Sequence, residues 1–470
     1  MPQVWRLLQV VEHELLLFAA FWFILGAIDE LTIDVAWLWL RLTRRIVPDR
    51  RIVPDGPGNV DLSGPLAVLV PAWHEADVIG VMIAHTLRAW PQPALRLYVG
   101  CYRNDPDTIA AAMRGGMDGA GSDSRLRVVI HDALGPTTKA DCLNRLYAAL
   151  CADEARGGFA YAGIILHDAE DMVHPAALAE MDRALGEVEF VQLPVRPEPQ
   201  RASPWVAGHY TDEFTEAHAK SLVVRDMLGA ALPAAGVGCG FARGTLARLA
   251  QVRAGAGHHG PFAAECLTED YELGLLVGRA GGRSRFLRLR DSNGELIATR
   301  AFFPATLDES VRQKTRWIHG IALQGWERLG WGGRAVDVWM ALRDRRGPLI
   351  ALVLAAAYGL FVVEGLLQVA RLAGWTGYAP VEPALRHMLE FSFAALVWRA
   401  TLRFGFTAHE YGLAEGLRAV LRIPVANLIA IMAGRRALTA YVRTLLGGKV
   451  HWDKTHHHDH PAARLSDPAR

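Results

Sequence analysis

Two hydrophobic patterns divide the chain, one long and one short. Residues 15–28 (LLLFAAFWFILGAI) carry no charge, and beyond Asp29, Glu30 and Asp34 the apolar run resumes to Leu40. About 20 residues cross a bilayer core, so this pattern predicts a spanning helix. Residues 348–370 predict a second span, interrupted by Glu364, and 387–406 a weaker third that holds Glu390, Arg399 and Arg403. The stretch 417–446, Arg-studded around IPVANLIAIMAG, reads as an amphipathic surface or re-entrant helix. An unpaired carboxylate in lipid is costly, so the span acids are expected to pair with span arginines rather than line a polar path.

The short pattern fills the middle. LAVLVPAW (66–73), LRLYVGCY (95–102), LRVVIH (126–131), AGIILHD (162–168) and EFVQLPV (189–195) read as buried strands. Residues 76–90 and 138–150 between them have helical spacing. Strands alternating with helices predict a mostly parallel sheet covered on both faces. In such sheets ligands sit past the carboxyl ends of the strands, which selects the residues to inspect.

Charge and composition narrow the class. With 50 Lys+Arg against 49 Asp+Glu the net charge is +1, which argues against a nucleic-acid partner. Arg41, Arg44, Arg45, Arg50 and Arg51 follow the first span, so that side is expected to be cytoplasmic, with the loop 371–386 outside. The expected protein is multi-pass in the bacterial inner membrane. Its parts are an N-terminal span and linker (1–58), a cytoplasmic α/β domain ending in an interfacial helix (59–335), further membrane helices (336–447) and a His-rich tail (448–470). The five cysteines are odd in number and form no CxxC, which fits reduced thiols.

Carboxylates gather at the strand ends. Glu75 follows the first, Asp105 the second, and Asp168, Glu170 and Asp171 the fourth. Three acids in four residues suit a divalent cation bridging to phosphate oxygens, or equally a solvated turn before the helix near Pro175. Asp105-Pro106 alone is an ordinary helix start. LPAAGVGCGFARG (232–244) lets backbone approach a ligand, Glu269 and Asp270 open a capped helix, and Gln313, Arg316 and Trp317 open a Trp-rich helix running to Trp331. The tail histidines 456–458 and His460 read as a surface tail or, with the WDKT segment, a flap over the site.

In this order VPAWHEAD, NDPDT, TTKADCLN, HDAED, GVGCGF, TED and QKTRW resemble the membrane-bound family 2 glycosyltransferases of the GT-A group. The HDAED form and the FFPATLDESVRQKTRWIHGIALQGWE and HWDKTHHHDHP blocks look closest to their phage-adsorption branch. The resemblance implies a Rossmann-like GT-A domain set between transmembrane helices. It implies that Glu75, Asp105 and Lys139 contact the nucleotide, with Asn144 supporting that helix. Asp168 and either Glu170 or Asp171 would hold Mg²⁺ or Mn²⁺ on the donor diphosphate. Asp270, with Glu269 beside it, would be the general base. Gly238, Cys239, Gly240, Phe241, Gln313 and Trp317 would meet the acceptor, and Arg316 the diphosphate. The implied partners are a nucleotide sugar, expected to be a UDP-sugar, a polysaccharide or lipid acceptor, and an export partner or outer-membrane protein. The competing expectation is a scaffold for phage-receptor assembly with a vestigial site. Longer members of the branch carry a cyclic-di-GMP-binding domain, so such regulation is expected from a separate protein.

Overall fold

The computed structural model describes residues 2–46, 61–118, 121–377, 381–447 and 459–466. Arg50, Arg51, the WDKT segment and histidines 456–458 lie outside the described residues.

The strands in chain order are β1 (Leu66–Pro71), β2 (Leu95–Tyr102), β3 (Met117–Asp118), β4 (Gly121–Ser122), β5 (Leu126–His131) and β6 (Gly163–Leu166). They continue with β7 (Phe190–Gln192), β8 (Val195–Pro197), β9 (Cys239–Ala242), β10 (Ser284–Phe286) and β11 (Thr299–Ala301). Seven of them form one sheet in the order β10-β7-β9-β6-β1-β2-β5. All neighbours in it are parallel except around β9, which runs antiparallel to both β6 and β7.

Alternation along β1 explains the two covered faces. Leu66, Val68 and Val70 join one buried cluster with Ile79, Met82 and Ile83 of the helix Ile79–Ala89. Ala67 and Leu69 join the other, with Leu143, Leu146 and Leu150 of the helix Lys139–Gly157. Side chains of a strand point alternately to opposite faces, so a run apolar throughout needs cover on both.

Two expectations need correction here. The run 189–195 is two strands, broken before Pro194, which has no N–H for a ladder; β8 leaves the main sheet and pairs with β11. The glycine-rich stretch divides: Pro233, Ala234, Ala235 and Val237 line a cavity past the strand ends, and Cys239–Ala242 is the central strand β9. Cys239 and Phe241 are fully buried, and Phe241 stacks on Phe190 at 4.7 Å. Gly240 is there for packing, since a Cβ would lie 3.0 Å from Met181 Cε. Cys239, Gly240 and Phe241 therefore lie within the sheet, with Gly238 at φ +58° just before it, and none of the four lines that cavity.

The membrane-type helices frame this domain. The helices Pro2–Leu42 and Gly347–Leu372 are long and apolar enough to cross a membrane, and the bent pair Leu413–Leu421 and Ile423–Leu445, turning 49° at Arg422, makes three if counted as one span. The first two run antiparallel: Asp29 pairs with Arg346 at 2.6 Å, Glu12 with Arg371 at 3.5 Å, and Trp5 stacks on Trp375. The helix Pro383–Tyr411, where a third span is expected, is not among those apolar enough to cross; it lies alongside the first in the same direction, with Arg399 on Glu30 at 2.5 Å and Phe406 against Trp37.

Asp29, Glu30, Asp34 and Glu364 are paired, as their cost in lipid favours, whereas Glu390 is exposed. Asp29 and Glu30 meet Arg343 and Arg346 just before the second span. Asp34 accepts from Lys220 Nζ at 2.6 Å and from Trp398 Nε1 at 2.8 Å. Lys220 also holds Glu216 at 2.8 Å, which ties the first helix to the α/β domain. At the bend, fully buried Arg422 grips Asp212 through Nε and Nη2 and reaches Glu415 with Nη1 at 2.8 Å.

Candidate active site

Past the carboxyl ends of β1 and β6 opens a cavity of about 470 Å³. Its wall brings together Glu75, Lys139, Asp168, Glu170, Asp171, Glu269, Asp270, Gln313, Arg316 and Trp317, contributed by segments far apart in sequence.

The β1 end carries backbone strain. His74 has φ 52°, a left-handed conformation uncommon outside glycine, and its ring stacks on Trp73 at 4.1 Å. Asp105 stabilises this turn from beneath. It accepts from His74 N at 2.6 Å and caps the helix Pro106–Gly115 through Thr108 N. Asp105 is buried and does not line the cavity. The expected nucleotide contact at Asp105 is thus corrected to an N-cap that clasps the Glu75 loop.

Lys139 begins the helix Lys139–Gly157, capped by Thr138, and its Nζ lies 2.6 Å from Asp168 Oδ1. Burial alone would lower the Lys139 pKa, but Asp168, Glu269 and Asp270 raise it above its usual value. Asn144, on the same helix, holds Phe262 N and O at 3.0 and 2.8 Å.

The loop after β6 separates its acids by role. Asp171 is buried, and its Oδ2 accepts from Asp168 N at 2.9 Å and contacts His167 Nδ1 at 2.8 Å. Burial pushes the Asp171 carboxyl up despite His167. Glu170 is half-buried in the cavity wall.

Opposite stand Glu269 and Asp270, in the first turn of the helix Glu269–Arg279, where the helix dipole favours carboxylates. Burial, with Asp270 alongside, pushes Glu269 up to about 8 against the pull of Lys139, and burial raises Asp270 too. Gly236, at φ +77°, lets backbone pass between the groups. A Cβ there would lie 2.2 Å from Asp270 Oδ2 and 3.2 Å from Lys139 Nζ. The 235–238 segment is pinned by Gln192, which accepts from Ala235 N and donates to Val237 O.

At the far end the wall turns aromatic. Trp317 contacts Tyr210 and Phe214, and both of these contact Phe303. Two π-helical turns, Ala217–Ser221 and Ile318–Gln324, place His218 and Ile321 on this wall; such turns often occur at functional sites. Asp344 closes it, held by Arg225 at 2.9 Å and by the Tyr271 hydroxyl at 2.9 Å. Phe214, His218, Gly236, Phe303 and Asp344 escape sequence reading. Gly236 had a signal in the glycine-rich stretch, and Phe303 one in the block beginning FFPATL.

One group of metal-type ligands lies outside the cavity. His174, Asp291 and Glu295 place ligand atoms within 4.8 Å of one another. His174 Nδ1 accepts the Ala176 N–H at 3.1 Å, so the proton of the neutral ring sits on Nε2, facing Asp291 at 3.8 Å. In that tautomer Nε2 carries a proton, so a cation at this group would have to displace it or be held by the two carboxylates.

Residues 64–320 match the model of the glycosyltransferase like family 2. The chain belongs to this family. It is 32% identical over 466 residues to bacteriophage adsorption protein B of Escherichia coli K12, covering 92% of this chain. The bacteriophage N4 adsorption protein B of Escherichia coli O157:H7 matches equally. The chain spans about 60% of the length of these relatives. Among solved structures, a mannosyltransferase from Pyrobaculum calidifontis, in complex with GDP-Man and Mn²⁺, superposes with a TM-score of 0.51. It is 17% identical and covers 90% of this chain and 99% of its own. The family's GT-A-type sheet is therefore shared, with β9 as its antiparallel member.

Proposed function

We propose that this family 2 member transfers a sugar from a nucleotide diphosphate donor to an acceptor hydroxyl, with inversion. One observation carries the reading: a single cavity joins the Asp168–Lys139 pair to the Glu269–Asp270 pair, with the arginine and tryptophan of a third helix between them and the aromatic end. The family match and the GDP-Man complex of the Pyrobaculum protein support a nucleotide-sugar donor.

Asp168 and Glu170 offer hard oxygens in the cavity wall and fit a divalent cation such as Mg²⁺ or Mn²⁺. Such an ion would neutralise charge on the diphosphate. Asp171 is assigned to bracing Asp168, since its Oδ2 is already engaged. Asp270 takes the proton of the acceptor hydroxyl; a carboxyl raised by burial accepts a proton more readily. The hydroxyl oxygen bonds to the anomeric carbon as the bond from that carbon to the diphosphate oxygen breaks. Arg316, with its forked donors, and Lys139 receive the charge on the leaving diphosphate. Trp317, Phe214 and Phe303 supply flat apolar faces for a sugar acceptor. Glu75 orients the nucleotide at the strained turn.

The spans and the arginines after the first helix support a multi-pass protein of the inner membrane with this domain in the cytoplasm, its acceptor a polysaccharide or lipid held at the bilayer. The relatives' name keeps a scaffold role in phage adsorption as the second reading. Purified protein in detergent, offered UDP- and GDP-sugars with and without Mn²⁺, separates the two. Metal-dependent turnover abolished by Asp270→Asn is expected. Turnover that Asp270→Asn leaves unchanged removes the base assignment, and no turnover with any donor favours the scaffold.

A further inference from the structure

The four backbone carbonyls from Asp171 to His174 each face a donor from elsewhere in the fold. Met172 O accepts from Arg300 N at 3.0 Å, Val173 O faces His85 Nε2 at 2.9 Å, and His174 O accepts from Trp90 Nε1 at 3.0 Å. The fourth donor comes from 289 residues away: His460 Nε2 lies 3.0 Å from Asp171 O. The ring's tautomer is set locally. Ala462 N donates to His460 Nδ1 at 3.1 Å, so the proton of the neutral ring sits on Nε2 and points at the Asp171 carbonyl. His460 is 2% exposed, and the short helix Pro461–Ser466 after it packs on Ile79–Ala89.

We propose that His460 is a positioning residue for the metal motif. Its bond to the Asp171 carbonyl fixes the backbone of Asp171. The Asp171 carboxylate in turn holds the Asp168 amide, so the orientation of Asp168 depends on a segment outside the α/β domain. Burial at both ends of the contact makes the bond matter: a buried carbonyl deprived of its donor cannot turn to water without moving the loop. The inference rests on the reading of Asp168 and Glu170 as metal ligands.

The test compares His460→Gln, His460→Phe and wild type in the full-length protein. A glutamine Nε2 can donate where the imidazole Nε2 does; phenylalanine fills the space and donates nothing. Two readouts are taken: amide hydrogen exchange of residues 168–174 without metal, and the Mn²⁺ concentration giving half of the Mn²⁺-induced rise in Tm with nucleoside diphosphate present. Exchange several-fold faster in the Phe variant, with a Mn²⁺ midpoint raised at least fivefold and Gln near wild type in both, is expected. Phe matching wild type in exchange and Mn²⁺ midpoint overturns the proposal, as does Gln failing as badly as Phe. Wild type showing no Mn²⁺ response, while Asp168→Asn behaves the same, overturns the metal reading and this inference with it.

Discussion

Two clusters of charge look alike in sequence and differ in the fold. At the domain's junction with the membrane helices, Asp29, Glu30, Asp34 and Glu216 face Arg343, Arg346, Arg399 and Lys220, and each acid has a cation within 4 Å. In the cavity, Asp168, Glu170, Asp171, Glu269 and Asp270 share their space, among the described lining residues, with Lys139, Arg316 and His218. The first cluster is balanced, as a structural joint must be when its groups leave water. The second holds an excess of carboxylates, and burial, with neighbouring acids adding to it, pushes three of them, Asp171, Glu269 and Asp270, up in pKa. A sustained excess of one sign in a cavity is costly unless something arrives to balance it, which marks the site as functional.

The largest expected effect belongs to the cavity. Asp270→Asn should lower kcat by roughly 10²–10⁴-fold, the range for losing a positioned base, with little change in Tm. Comparable residual turnover would show the excess charge to be incidental. At the joint the effect should be reversed in kind. Glu30→Ala leaves Arg343, Arg346 and Arg399 without their shared acid and should cost about 3 kcal/mol of stability by chemical denaturation. Its Mn²⁺ midpoint should stay at the wild-type value; a shift would mean that the joint and the site are coupled.

Gly236→Ala tests the closeness of the acids to their cation. The added Cβ meets Asp270 at a positive φ, so a stability loss of about 1–2 kcal/mol should accompany a fall in turnover out of proportion to it. Glu269→Gln tests the charge excess through pH. A carboxyl whose pKa is about 8 in the fold and near 4.5 when unfolded keeps its proton on folding, so its contribution is fully present below pH ~4.5 and is lost as pH rises through 8. The neutral variant should gain on metal-free wild type in Tm between pH 5 and 8, and a constant gap would contradict the raised pKa. Smallest is Asp105→Asn. As a cap and clasp it should cost at most ~1 kcal/mol and move the donor KM less than twofold; a tenfold rise would return Asp105 to the nucleotide.

Much of this was legible because local chemistry and the strand-end rule point the same way. The apolar runs of β1, β2, β5 and β6 predict the sheet, and the acids after β6 fall in the cavity wall for that reason. Two readings failed where packing overrode local preference. Glycines at 238 and 240 suggested a loop, yet Gly240 lies in a strand, paired with Ile165 of β6 and Val191 of β7. Asp105 looked like its neighbours at the strand ends, but its bonds to His74 N and Thr108 N turn it into the floor of the turn.

The sequence by itself determined the two long apolar helices, the strand and helix rhythm, and the presence of carboxylates, an arginine and a tryptophan in a family order. Those are properties of short segments, written in periodicity and residue type. Only the tertiary structure decided which charges are balanced, that Lys139 stands against Asp168, that Phe214, His218 and Asp344 close the far wall, and that His460 reaches the Asp171 carbonyl. These depend on distances between segments tens to hundreds of residues apart, which are set when the two faces of the sheet are buried and every enclosed polar group must find its partner.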